Sequence, residues 1–109
     1  MTTAERERAI DRTAKLIFES EVLVKQHMTP RQFSTHTKRE ATRLKAVGVT
    51  GDQLLELQAA VYQSPKMRAR MRKMFREYGN PITNDELDAL AIRGMAKAAL
   101  EMKRFGFAR

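Results

Sequence analysis

The sequence predicts an all-α protein, a compact bundle of about five helices, and three observations carry that prediction. Apolar residues recur at the three- and four-residue spacings of one helical face along the whole chain. Threonine or serine stands at the head of four of these segments, and Gly48, Gly79 and Gly106 stand at the feet of three. Nothing reads as a pair of alternating strands joined by a turn. Together these signals place helices near residues 3–27, 30–47, 51–62, 65–78 and 84–105 of a single domain covering 1–109.

In the first helix Ile10, Ala14, Ile17, Val24 and Met28 form one stripe, with Phe18 and Val22 to one side and Leu16 and Leu23 to the other. Between Ala14 and Val24 it is apolar over most of its circumference. It therefore either runs through the middle of the bundle or makes a homodimer interface. The second helix opens with Thr29 as N-cap, Pro30 at the first helical position and Gln32 completing a capping box, while Met28 is placed to pack on Phe33. Phe33, Thr37, Ala41, Leu44 and Val47 are its core face, and Gly48 ends it.

Thr50 and Gln53 repeat the capping box at the head of the third helix. Ser64-Pro65 opens the fourth with a cap and no box, and there Met67, Met71, Met74, Phe75 and Tyr78 form the inward row that Gly79 ends. Thr83 and Glu86 box the fifth, whose inward face is Leu87, Leu90, Ala91, Gly94, Ala98 and Met102. Small residues at 91, 94 and 98 allow another helix to approach closely. Such packing offsets the roughly 1 kcal/mol that a glycine costs inside a helix.

Charge is segregated along this frame. Of the net +8, residues 27–48 carry +4 and residues 64–79 carry +5, while the remainder is close to neutral. That segregation favours an electrostatic docking surface over charge spread for solubility. In the fourth helix the cations are Lys66, Arg68, Arg70, Arg72, Lys73 and Arg76; in the second they are Lys38, Arg39, Arg43 and Lys45, mixed with Ser34, Thr35 and Thr42. Cations supply attraction to phosphate, and short hydroxyl donors supply register. These ten residues are the candidate nucleic-acid-binding set, and the two helices make one positive strip if the fold brings their outer faces to one side.

A helix-turn-helix built from residues 51–78 would set Lys66, Arg68 and Arg70 nearest the base edges, where arginine reads guanine. However, the Gln63-Ser64 connection is short and lacks glycine, and no Asn or Gln stands on the outer face of the second member. Phosphate-dominated binding of DNA or RNA with weak sequence preference fits better. The alternative is a protein–protein interaction module or inhibitor whose basic face docks an acidic surface of a partner, with Met67, Met71 and Met74 as an adaptable groove.

Enzymatic chemistry lacks parts. There is no Cys, so no disulfide or thiolate metal site forms, and only two histidines are present. His36 and Glu40 share a helical face at metal-ligand spacing without an evident third ligand, and Glu40 has a local ion-pair partner in Arg43. Asp85, Glu86 and Asp88 complement the dipole at a helix start. The expectation is a non-enzymatic protein with no metal and no cofactor. No run of eighteen apolar residues and no apolar leader occurs, so a cytoplasmic setting is expected.

Overall fold

Five helices form where the capping chemistry places them. The structure, a computed structural model, describes residues 2–108; the side chains of Val24 and Lys25, and with them the expected place of Val24 in the first helix's stripe, lie outside the described residues. Helix α1 comprises Thr3–Phe18, a π-helical stretch Glu19–Val24 and a last turn Lys25–His27. It is followed by α2 (Pro30–Ala46), α3 (Gly51–Gln63), α4 (Pro65–Glu77) and α5 (Asn84–Arg104), and no strand occurs among the described residues. The capping boxes at Thr29/Gln32, Thr50/Gln53 and Thr83/Glu86 are all formed, and Ser64 accepts from the Met67 amide without a box. Gly48, Gly79 and Gly106 each adopt positive φ, and the following residue's amide bonds back to Leu44, Phe75 and Met102 respectively, the Schellman closure that only a residue without Cβ makes at little cost.

The core forms where α1, α3, α4 and α5 meet. Ala14 and Val22 of α1, Val61 and Tyr62 of α3, Met67, Met71 and Phe75 of α4, and Leu87 and Leu90 of α5 are buried in one cluster. Phe18 meets Phe75 edge-on at 5.2 Å and Tyr78 at 5.9 Å. Of the row expected to face inward on α4, Met67, Met71 and Phe75 are buried and Met74 packs against them, whereas Tyr78, at the C-cap, is 39 % exposed. Ile10, Ile17 and Phe18 pack against the same cluster, so much of the apolar circumference of α1 is spent inside the molecule. The π-helical stretch was not foreseen. Its wider turn rotates the residues after Phe18 away from the α-helical register, and Val22, expected at the side of the stripe, is buried with Ala14 at 1 % exposure.

Helix α2 stands apart from that cluster. Ala41 is its one buried residue, and a partly open cavity of about 420 Å³ separates its inner face from α1, α3 and α5. Phe33, Thr37, Ala41 and Leu44 line this cavity, as the sequence pattern predicts. Val47 borders the cavity too, but at the C-cap, past the last helical turn, it is 70 % exposed. The turn after α5 ties α2 and α3 together. There Lys45 donates to the Phe105 carbonyl at 2.5 Å, and the Gly51 amide donates to the Ala108 carbonyl at 2.6 Å.

Candidate nucleic-acid interface

The six cations of α4 serve two different purposes. A helix turns about 100° per residue, so the inward row Met67, Met71 and Phe75 sets Arg68 and Arg70 on the two flanks and Lys66, Lys73 and Arg76 on the far side. Arg68 is drawn into the fold. Its guanidinium donates to the Tyr62 carbonyl and to the Asn84 carbonyl, each at 3.2 Å, and pairs with Asp88 at 2.8 Å, leaving its side chain 18 % exposed. Arg70 pairs with Asp11 of α1 at 2.8 Å, with both partners about half exposed. Arginines of this kind hold helices together before they hold a ligand.

The outer face keeps its charge. Lys66 and Arg76 are exposed and have no ion pair or hydrogen bond among the described residues. Lys73 lies 3.9 Å from Glu77 one turn away, a surface contact worth at most about 1 kcal/mol. Arg72 donates to the Asn84 side-chain oxygen at 2.6 Å; that partner is neutral, so the guanidinium is positioned without being neutralised. Lys66, Arg72, Lys73 and Arg76 thus form a positive face running about 15 Å along the helix, from the 1.5 Å rise per residue. The helix-turn-helix reading loses two of its three base-edge candidates, because Arg68 and Arg70 point to other helices.

The second basic block is engaged differently. Arg43 pairs with Glu40 at 2.8 Å, as its spacing predicts, and Lys45 is taken up by the Phe105 carbonyl, with its ammonium 5.9 Å from the centre of the Phe107 ring. Lys38 and Arg39 remain exposed, with no side-chain partner among the described residues. Two of the three hydroxyls expected to assist them are turned back on their own helix, Thr35 donating to the Arg31 carbonyl and Thr42 to the Lys38 carbonyl, while Ser34 is exposed. No hydrogen bond, ion pair or ring contact joins α2 to α4 among the described residues, and no residue of α4 borders the cavity that α2 covers. The two basic helices are anchored to different parts of the molecule, and α4 presents the denser face.

Two features of the interior were invisible in the sequence. Tyr62 lines the cavity, and its hydroxyl oxygen would lie 3.2 Å from a Cβ added at Gly94, so the close approach expected at the small residues of α5 is made by a phenol of α3. Burial, reinforced by the charge of Glu21 and opposed by that of Arg93, pushes the Tyr62 phenol up to about 12. No group of three or more His, Cys, Asp or Glu side chains able to hold a metal ion occurs among the described residues, and no described helix is long and apolar enough to cross a membrane. No family model, curated protein or solved structure matches this chain.

Proposed function

We propose that this is a small basic helical protein of the cytoplasm that binds nucleic acid through phosphate contacts, in an accessory or regulatory role. The supporting observation is the outer face of α4, where Lys66, Arg72, Lys73 and Arg76 stand together and, among the described residues, Glu77 is the one carboxylate paired with any of them. Four cations on one rigid helix match a regular row of phosphates by charge, while carrying no amide side chain outward to read a base. Binding is therefore expected to be nearly indifferent to sequence, with DNA and RNA both admissible ligands.

Fluorescence anisotropy with labelled duplex DNA and duplex RNA across a salt series tests this reading. Counterion release gives a log–log slope of about −0.9 per neutralised phosphate on B-DNA, so four contacts predict a slope near −3.6. Replacing Lys66, Lys73 and Arg76 together with alanine should weaken binding to all sequences alike and flatten the slope by about 2.7. Absence of binding at low salt would refute the proposal. So would a slope that the triple replacement leaves unchanged.

A further inference from the structure

Helix α5 carries a second apolar face that no described residue covers. Opposite its buried row, Ile92 is 76 % and Leu100 71 % exposed, and Ala89, Ala96 and Ala99 lie on the same outer side. At 100° per residue Ala96 sits at the centre of this face, with Ile92 about 40° to one side and Leu100 about 40° to the other. The face is also symmetric in sequence. Ile92 and Leu100 lie four residues before and after Ala96, and Asp88 and Arg104 lie eight residues before and after it.

We propose that this face pairs with the same face of a second copy of the chain, the two α5 helices running antiparallel about a two-fold axis through Ala96. Such an axis reverses the helix and exchanges positions equidistant from Ala96. It sets Ile92 against Leu100 of the second copy and Asp88 beside Arg104, each relation occurring twice as an isologous interface requires, and Ala96 against Ala96 once, on the axis. The alanine methyls at the crossing point let the helices come near the short end of the usual 8–10 Å interaxial range, so the four large side chains interdigitate around them. Acidic and basic ends are what make the face self-complementary. A parallel arrangement would stack Asp88 on Asp88 and Arg104 on Arg104.

Among the described residues these groups are only lightly engaged inside the monomer. Ile92 and Leu100 are exposed, and Arg104 stands over the Phe105 ring at 5.3 Å without a carboxylate partner among the described residues. Asp88 holds Arg68 through one carboxylate oxygen at 2.8 Å, and its side chain is still 63 % exposed. The pairing is independent of the nucleic-acid reading, because none of its residues belongs to α4.

Light scattering across a concentration series should show the mass rising from 12.5 kDa toward twice that value. Ile92→Glu should hold the chain at monomer mass with unchanged helical circular dichroism, since that side chain supports nothing in the monomer. The chain contains no cysteine, so Ala96→Cys introduces a single thiol that the symmetry places against its own copy. Mild oxidation should then give a crosslinked dimer, and adding Ile92→Glu should reduce its yield at least tenfold. Ser34→Cys, exposed on α2, serves as the uncrosslinked control. A mass of 12.5 kDa at every concentration overturns the proposal, as does a dimer that survives Ile92→Glu or one in which Ala96→Cys fails to crosslink.

Discussion

Replacing Arg68 with alanine should destabilise the protein while leaving its outer basic face intact. The guanidinium links three places: the Tyr62 carbonyl in the last turn of α3, the Asn84 carbonyl in the first turn of α5, and the Asp88 carboxylate. The Tyr62 carbonyl belongs to the last four of its helix, which have no partner within it. A hydrogen bond from a charged donor contributes about 1.5–3 kcal/mol in a buried setting. Water reaches both helix ends once the side chain is gone, so about 1 kcal/mol for each carbonyl is appropriate. The ion pair to the exposed Asp88 adds less than about 1 kcal/mol. A loss of about 2 kcal/mol lowers the Tm of a domain this size by roughly 8–16 °C. Thermal unfolding followed by circular dichroism measures it, with Arg76→Ala as the comparison that should leave Tm within about 4 °C. The reasoning fails if Arg68→Ala melts with the native protein and instead weakens nucleic-acid binding as strongly as Arg76→Ala.

Tyr62 should give the protein an alkaline limit: its phenol titrates near 10 when unfolded and near 12 when folded, so the folded state binds more protons in that window and stability falls as pH rises from about 10 to about 12. Urea midpoints measured from pH 9 to 12 should decline less steeply in Tyr62→Phe, and equal slopes would refute the assignment. Ala41→Leu should stabilise, because its added carbons enter the cavity beneath α2; at about 0.8 kcal/mol per buried methylene, and with incomplete burial in a partly open space, the gain is about 1 kcal/mol. A lowered Tm would mean that α2 is packed too tightly for a cavity of 420 Å³.

The helix ends were legible because their chemistry is local. A threonine hydroxyl reaching the third amide beyond it, or a glycine free to take positive φ, depends on four or five consecutive residues, and the predicted boundaries fall within one residue of those observed. The inward row of α4 was legible for the same reason: its spacing alone aligns Met67, Met71 and Phe75. The π-helical turn at Glu19–Val24 was not, because a single widened turn leaves the apolar residues of a segment that is apolar all round looking equally well placed. The exposed face of α5 had a readable signal, since Ala89, Ile92, Ala96 and Leu100 repeat at helical spacing beside the stronger inward row. Only the fold shows that the second row is left bare, because periodicity alone does not say which of two apolar rows a neighbour covers.

Charge was the least legible property, because like residues differ only in what tertiary structure sets beside them. Arg68 and Arg76 belong to one run, yet one closes a junction between helices while the other has no partner among the described residues. Helical phase separates them in part, by putting Arg68 and Arg70 on the flanks and Arg76 on the far side. It cannot reveal that Asp88 and Asp11 arrive from α5 and α1 to meet the flanking pair. These carboxylates neutralise the cations nearest the core and leave those facing outward. Arg72 lies between the two groups and is held by an amide oxygen, which fixes its direction and leaves its charge in place. The run is therefore sorted by distance from the core: its inner arginines build the bundle, and its outer cations are the ones that the proposed phosphate contacts would use.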